Sequence, residues 1–283
     1  MKLKNNLVII NGRKFFYWEK NRKNKQVIVL LHGFPGNHMG LVDLANYLDN
    51  EYRIIIPDLP ACGQSESLNG IHNLKSYSNW LNSFLESLSI NKTIIIGHSF
   101  GSRVALVFAA NYAKNVEKLV LITPVVEVDG FIARVATLYY KIAEVLPNYL
   151  QKIMLSNGFG KKMGDIIIFK PANPKIHKKI IDRDVKELKK LNQKVIIEIF
   201  NEFYKFKLIA LGKRIKTESL VIASDKDEIA TLKSVKILAG NIDKVSFEIM
   251  ENSGHLVPLE KPSATAKIIL HFLQDKSPNI IKI

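Results

Sequence analysis

Continuous apolar runs alternate with segments of helical periodicity along most of the chain. The runs are short and unbroken, which is typical of strands buried on both faces of a parallel sheet. The pattern therefore predicts an α/β protein with a mostly parallel, twisted sheet flanked by helices. The predicted strands lie at 26–31, 53–56, 93–96, 118–122, 219–223 and 245–250, and the predicted helices at about 41–48, 74–88, 99–113, 230–239 and 262–274.

The ends of this pattern and its interruption indicate how the chain is organised. Two short apolar runs around Asn11-Gly12 predict an antiparallel strand pair near the amino terminus. Residues 124–216 have no clear strand pattern but carry several helical stripes. We therefore expect a helical lid (cap) inserted into a core formed by residues 1–123 and 217–283. Helices are predicted in the lid at 131–146, 150–155, 175–191 and 195–211.

Composition is consistent with a soluble enzyme. The chain has 283 residues, of which 47% are hydrophobic, enough to bury a sizeable core. Its one cysteine, Cys62, excludes an intramolecular disulfide. No apolar stretch reaches the ~20 residues that span a membrane, and the amino terminus lacks the pattern of a signal peptide. We therefore expect a cytoplasmic protein without stable membrane insertion, and the sequence leaves the oligomeric state open.

The charge of the chain is strongly basic. It has 41 Lys and Arg against 26 Asp and Glu, a formal net charge of +15, and the segment 124–216 holds 19 basic and nine acidic residues. Such a charge can steer an anionic substrate, touch an anionic membrane or bind nucleic acid. The lysines are scattered through a chain rich in Asn and Ile, and no nucleic-acid module is visible. We therefore interpret the charge as solvated surface and expect no nucleic-acid partner.

The motif G-H-S-F-G at 97–101 is the most informative stretch of the chain. It follows the apolar run at 93–96 and leads into a helix-like segment, so a strand enters a helix through a sharp turn with Ser99 at its tip. The flanking glycines let neighbouring backbone pack closely, and the turn lifts the hydroxyl out of the sheet. Ser99 is therefore predicted to be a nucleophile.

A serine hydroxyl is a poor nucleophile near neutral pH, so it requires a histidine base and a carboxylate that orients the histidine. His255 follows the predicted strand at 245–250 and is the histidine best placed downstream of Ser99. The carboxylate comes from the acidic cluster that ends the strand at 219–223. In this cluster Asp225 and Asp227 are both candidates, and the spacing alone leaves the choice open.

A glycine-rich turn, H-G-F-P-G at 32–36, follows the buried strand at 26–31. Such a turn can aim backbone N–H groups at the negative charge that develops during acyl transfer. The predicted pair of donors of this oxyanion hole is the N–H of Phe34 and the N–H of Phe100, the residue after the nucleophile. His32 is expected to hold the turn by hydrogen bonds, and it is also a candidate substrate contact.

With these motifs the chain resembles the α/β-hydrolase superfamily over nearly its whole length. The chain order Ser99, Asp227, His255 matches the superfamily's nucleophile, acid and base, the segment at 32–36 looks like its oxyanion motif, and the segment at 57–65 looks like its P-D-x-x-G-x-G-x-S motif. Ala61 departs from the usual glycine there, and Ser102 departs from a common glycine after the nucleophile. The resemblance aligns residues 224–227 with the family's G-x-x-D, which favours Asp227 as the acid.

The resemblance implies a catalytic triad and a serine hydrolase that cleaves small or medium carboxylic esters through an acyl-enzyme, with no metal or organic cofactor. A serine nucleophile argues against haloalkane dehalogenases and epoxide hydrolases, which carry aspartate there. Arg103 lies one helical turn after Ser99 and could form an ion pair beneath the turn or bind a substrate carboxylate. In the second case the chain would be similar to the menaquinone-pathway synthases, and a lyase or C–C hydrolase is the alternative. A ligand receptor without turnover is the alternative from another class.

Overall fold

The computed structural model of the chain describes residues 5–127 and 190–274, and between them residues 138, 142, 145–147, 149, 150, 153, 186 and 187. Its centre is an eight-stranded sheet with the strand order β1-β2-β4-β3-β5-β6-β7-β8. The strands are β1 (Asn5–Ile10), β2 (Arg13–Lys20), β3 (Val27–Leu31), β4 (Arg53–Pro57), β5 (Thr93–His98), β6 (Val116–Ile122), β7 (Ser219–Ser224) and β8 (Val245–Met250).

The direction of the strands confirms the predicted fold class. Strands β1 and β2 form the expected antiparallel pair, and β2 pairs antiparallel with β4. The six strands β4, β3, β5, β6, β7 and β8 are parallel to one another. Every residue of β3, β5 and β7 is buried, as continuous apolar runs require. Strand β5 is longer than predicted, because Gly97 and His98 pair with Leu121 and Ile122 of β6.

Helices cover both faces of the sheet and create two hydrophobic cores. Residues of β3 alternate between the cores, with Val29 and Leu31 in one and Ile28 and Leu30 in the other. No helix among the described residues is long and apolar enough to cross a membrane. The helices are α1 (Val42–Tyr47), α2 (Leu74–Ser87), α3 (Phe100–Asn111), α4 (Gln193–Lys205), α5 (Leu208–Gly212), α6 (Leu232–Ala239), α7 (Val257–Glu260) and α8 (Pro262–Gln274).

The described part of the segment 124–216 differs from its prediction in one respect. The single helix expected at 195–211 is two helices, α4 and α5, because Phe206 has an extended backbone (φ −102°, ψ 113°). The helices predicted at 131–146, 150–155 and 175–191 lie largely outside the described residues. The lid therefore stays a prediction in its full extent.

Helix α4 is joined to the core by two carboxylates that accept main-chain hydrogen bonds. The Glu198 carboxylate accepts from the His72 N–H (2.9 Å), and the Glu202 carboxylate accepts from the Leu74 N–H (2.9 Å). Leu74 is the first residue of α2, where helical N–H groups have no intrahelical acceptor. The two glutamates thus satisfy donors that the start of α2 would otherwise expose.

Helix α3 comes very close to the sheet at its first turn. A Cβ added to Gly101 would lie 2.1 Å from the Leu31 carbonyl oxygen of β3, and a Cβ added to Gly97 would lie 2.5 Å from the Gly101 carbonyl oxygen. Real Cβ atoms do not come this close to backbone. Both glycines of the G-H-S-F-G motif are therefore required by packing.

We expect Gly101→Ala to lower the free energy of unfolding by about 1–3 kcal/mol, because the added methyl group must push α3 away from β3. The matched control is Gly240→Ala. Gly240 has helical dihedrals, and its nearest contact to an added Cβ is 3.5 Å, so this change should stabilise the protein slightly or leave it unchanged. Urea unfolding measures both, and equal stabilities would contradict the close approach.

His72 is a buried histidine beside the start of α2. Its Nδ1 lies 2.9 Å from the Tyr77 hydroxyl, and its Nε2 accepts from the Leu68 N–H (3.3 Å). Burial, assisted by the positive charge of Lys194, lowers the pKa of His72 from 6.5 to about 4. The folded protein therefore keeps this ring neutral where the unfolded chain protonates it.

Because the pKa of His72 is lower in the folded state, His72 should make the free energy of unfolding fall as the pH drops from about 6.5 towards about 4. The loss is at most about 1.4 kcal/mol per pH unit, or about 2 kcal/mol between pH 7 and pH 5. Urea unfolding at both pH values tests this. The wild type should lose about 2 kcal/mol more than His72→Gln over the interval, and identical losses would contradict the shift.

Candidate active site

Three residues predicted to act together are in contact at the carboxyl end of the sheet. Nε2 of His255 lies 2.7 Å from the Ser99 hydroxyl, and Nδ1 of His255 lies 2.7 Å from Oδ2 of Asp227. All three side chains are buried, with residue exposures of 6% each. The hydroxyl can donate to Nε2 only if Nδ1 carries the ring proton and donates it to the carboxylate. The arrangement is therefore that of a nucleophile, a general base and an orienting acid.

Ser99 has a strained backbone of the kind that its motif predicts. Its φ is +54° and its ψ is −115°, a region that side-chain-bearing residues rarely occupy. The Ser99 N–H donates to the Ile122 carbonyl (3.0 Å), which fixes the turn to the neighbouring strand β6. Ser102 strengthens the same turn, because its hydroxyl lies 2.6 Å from the Gly97 carbonyl oxygen. Ser102, which stands where the family commonly has glycine, thus has a hydrogen-bond partner within the turn.

The carboxylate that contacts His255 is Asp227, the candidate that the family resemblance favours. Its second oxygen, Oδ1, accepts from the N–H groups of Ile229 and Ala230 (2.8 Å each), so both oxygens have partners. The other candidate, Asp225, is exposed, and its Oδ1 accepts from the Ser253 N–H (3.3 Å). Asp225 therefore supports the loop that precedes His255 without contacting the imidazole.

The loop that carries His255 is fixed on several sides. The Gly254 N–H donates to the Glu260 carboxylate (3.1 and 3.2 Å), and the Ser253 carbonyl accepts from the Ser224 hydroxyl and from the Lys226 N–H. The sequence pattern did not predict these supports. Glu260 was detectable in principle, because an acid six residues after Gly254 at the start of a helix can bond back to the loop.

The predicted oxyanion donors lie on either side of Ser99. Phe100 is the first residue of α3, so its N–H has no intrahelical acceptor. The turn that contains Phe34 packs against the nucleophile, because a Cβ added to Gly33 would lie 3.1 Å from the Ser99 Cβ. The rings of Phe34 and Phe100 are in edge contact, with centroids 6.1 Å apart. Both residues thus flank the nucleophile, and their role as donors stays a prediction.

His32 is held by hydrogen bonds at the predicted oxyanion turn. It is buried, its Nδ1 lies 2.8 Å from the Gly33 carbonyl oxygen, and its Nε2 accepts from the Leu59 N–H (3.0 Å). A carbonyl can only accept, so Nδ1 is the protonated nitrogen. Both ring nitrogens therefore have hydrogen-bond partners near the turn, and a substrate contact of His32 stays a prediction.

Among the described residues, the hydrogen-bond partners of Arg103 are main-chain carbonyls, and a contact with a substrate carboxylate stays a prediction. Arg103 is completely buried, and its guanidinium donates to four main-chain carbonyls, those of Val125 (2.6 Å), Val126 (3.3 Å), Glu202 (2.6 Å) and Phe206 (3.1 Å). Burial lowers the pKa of Arg103 to about 10, which leaves it charged at neutral pH. The charge faces the carboxyl end of α4, where the helix dipole is negative.

Helix α4 places aromatic side chains against the two predicted oxyanion residues. The Phe200 ring lies 6.0 Å from the Phe34 ring, and the Phe203 ring lies 5.7 Å from the Phe100 ring, centroid to centroid. The Arg103 guanidinium lies 5.0 Å from the centroid of Phe203. The surroundings of the site on this side are therefore apolar and aromatic.

Two further residues contact His255 and were not found from the sequence. His98 and Thr123 both donate to the main-chain carbonyl of His255 (3.0 Å each).

Within residues 5–127 and 190–274, no group of three or more His, Cys, Asp or Glu side chains could hold a metal ion.

Known proteins resemble this chain over nearly its whole length. It is 25% identical over 270 residues to monoacylglycerol lipase abhd6-B of Xenopus laevis, and this alignment covers 92% of this chain and 79% of that protein. It is 28% identical over 265 residues to Lipase 1 of Psychrobacter immobilis, with 92% and 80% covered. A crystal structure of a hydrolase from Pseudomonas aeruginosa superimposes with a TM-score of 0.80 at 19% identity, covering 96% of this chain and 99% of that chain.

The solved structure supports the fold alone, because its sequence identity is low. The family evidence is the match of residues 26–262 to the sequence model of the alpha/beta hydrolase fold. This match begins at the strand before the oxyanion turn and ends after the histidine of the site, so it includes all the residues described above. The chain therefore belongs to the α/β-hydrolase fold family.

Proposed function

We propose that the protein is a serine esterase that cleaves carboxylic esters through an acyl-enzyme. The observation that carries the proposal is the unbroken line of contacts from the Asp227 carboxylate through His255 to the Ser99 hydroxyl, with both distances at 2.7 Å. The names of the relatives, lipases and a monoacylglycerol lipase, point to the same bond type.

In the proposed reaction, the Ser99 hydroxyl oxygen attacks the ester carbonyl while Nε2 of His255 takes its proton. Asp227 stabilises the imidazolium that forms, and the N–H groups of Phe34 and Phe100 donate to the oxyanion. Collapse of the tetrahedral intermediate breaks the bond to the alcohol, which receives the proton from His255. Water, deprotonated by the same imidazole, then attacks the acyl-enzyme and releases the carboxylic acid and free Ser99.

Residues 124–216 form the lid over this site in our proposal. The support comes from helix α4, whose Phe200 and Phe203 pack against Phe34 and Phe100 next to Ser99. Apolar rings in this position favour uncharged, apolar acyl groups, because a buried charge without a partner is costly. We therefore propose small or medium uncharged esters as substrates.

Arg103 argues against the carboxylate-binding alternatives. A synthase or C–C hydrolase of the kind considered above would use this residue for the substrate carboxylate. The guanidinium instead donates to four main-chain carbonyls on two segments of the chain.

A turnover assay tests the receptor alternative, because a receptor would release no more than one equivalent of alcohol.

We expect Ser99→Ala to abolish hydrolysis of p-nitrophenyl esters, since the attacking oxygen is lost. Asp227→Asn should lower kcat by about 10⁴, because the imidazole would lose its orienting acceptor. The matched control is Asp225→Asn, which removes a carboxylate two residues away that does not contact His255 and should change kcat by less than about threefold. Labelling of Ser99 by a fluorophosphonate provides a second readout. Equal losses in the two aspartate variants would refute the assigned acid.

Arg103→Met should lower the free energy of unfolding by about 3 kcal/mol or more, because several buried carbonyls lose a charged donor. The kcat/KM values for a neutral ester and for a carboxylate-bearing ester of similar shape should fall by the same factor. Arg214→Met is the control, since Arg214 lies at the surface and should affect stability by about 0.5 kcal/mol at most. A loss confined to the carboxylate-bearing ester would favour the synthase-like alternative.

A further inference from the structure

The main-chain carbonyl of His255 accepts two hydrogen bonds from buried side chains. Nε2 of His98 and the hydroxyl of Thr123 each lie 3.0 Å from this oxygen. Thr123 is completely buried and His98 is 7% exposed, so water does not compete freely for either contact. The general base of the proposed reaction is therefore held at its main chain as well as at its ring.

The two donors lie at the ends of two neighbouring central strands of the sheet. His98 is the last residue of β5 and directly precedes Ser99, and it pairs with Ile122, the last residue of β6. Thr123 follows Ile122, and its N–H donates to the Ile222 carbonyl of β7 (2.8 Å). The contacts therefore join the ends of β5 and β6 to the loop after β8, across a wide sequence separation.

The backbone of Thr123 is strained. Its φ is +41°, in the left-handed region that favours glycine and that β-branched residues avoid. Such conformations persist where the surrounding structure requires them, and they cluster at functional sites. Here the strained position directs the hydroxyl to the His255 carbonyl, a contact that a glycine could not make.

The chemistry of His98 also suits this place. Its acceptor is a carbonyl, so Nε2 must carry the ring proton. Burial, together with the positive charge that His255 can carry, lowers the pKa of His98 to about 3. The ring therefore stays neutral at working pH and places no second positive charge beside an imidazole that must accept a proton. The two rings lie 5.5 Å apart, centroid to centroid.

We propose that His98 and Thr123 are positioning residues that hold the main chain of His255 so that its Nε2 stays in line with the Ser99 hydroxyl. The inference rests on the proposed function. Asp227 restrains the ring at Nδ1, but the ring can still shift if its Cα moves. A displacement of about 1 Å at a reacting group can cost about 10²-fold in rate. The carbonyl contacts restrain that movement.

The test compares two substitutions of Thr123 that differ in the hydroxyl. Thr123→Val keeps the shape and β-branching but removes the donor, whereas Thr123→Ser keeps the donor. We expect Thr123→Val to lower kcat about 10–100-fold with KM changed less than about threefold, and to slow fluorophosphonate labelling of Ser99 by a similar factor. Thr123→Ser should retain kcat within about threefold of wild type. If Thr123→Val does not fold, Thr123→Ala removes the same donor and replaces it in the comparison.

Thr93→Val is the matched control for the loss of a buried hydrogen bond. Thr93 is also completely buried, and its hydroxyl donates to the Val27 carbonyl (2.8 Å) at the opposite end of the sheet. We expect this variant to melt at a lower temperature but to keep kcat. His98→Leu should lower kcat as Thr123→Val does, again with KM nearly unchanged.

Three results would overturn the proposal. The first is a wild-type kcat in Thr123→Val, and the second is an equal loss of kcat in Thr123→Ser and Thr123→Val. The third is a loss of kcat in Thr93→Val as large as that in Thr123→Val.

Failure of the proposed function would give a different result. If Ser99→Ala retained activity and the fluorophosphonate labelled another residue, the esterase assignment would fail whatever the threonine variants do. If Ser99 were essential and Thr123→Val fully active, the positioning role alone would be wrong.

Discussion

The close approach of helix α3 to strand β3 is the constraint on which the site depends. At Gly101 the helix backbone lies against the Leu31 carbonyl with no room for a side chain, and Gly97 gives the same freedom on the incoming strand. Only this spacing allows the chain to pass from strand to helix within one residue, with Ser99 in a left-handed conformation. The strain at Ser99 is tolerated because the central strands and the helix around it are buried and fully packed.

The site extends from this turn along the carboxyl edge of the sheet. Main-chain hydrogen bonds continue past the ends of the strands, from Ser99 to Ile122 and from Thr123 to Ile222. Neighbouring strands in a sheet lie about 4.8 Å apart, so groups that follow successive strands come within reach of one another. Phe34 follows β3, Ser99 follows β5, Thr123 follows β6, Asp227 follows β7 and His255 follows β8.

Helix α4 is attached to this edge by hydrogen bonds between charged side chains and main-chain groups. The carbonyls at its carboxyl end have no intrahelical donors, and the Arg103 guanidinium donates to those of Glu202 and Phe206. Further up the helix, Glu198 and Glu202 accept from amides near the start of α2. These contacts hold α4 in place, and its Phe200 and Phe203 rings pack against Phe34 and Phe100 next to Ser99. The helix-end carbonyls and the helix dipole compensate the charge of the buried Arg103.

The sequence by itself determined the features that are local. Continuous apolar runs specify buried parallel strands, and a serine between glycines at a strand end specifies the sharp turn, because both depend on residues close together in the chain. Tertiary structure alone decided the partners of Arg103, which lie 22–103 residues away, and the contacts of His98 and Thr123 with a carbonyl 157 and 132 residues downstream. It also determined that Asp227, and not Asp225, contacts His255. Two carboxylates in one turn differ only in the direction in which their side chains point, and that direction depends on the packing around the loop.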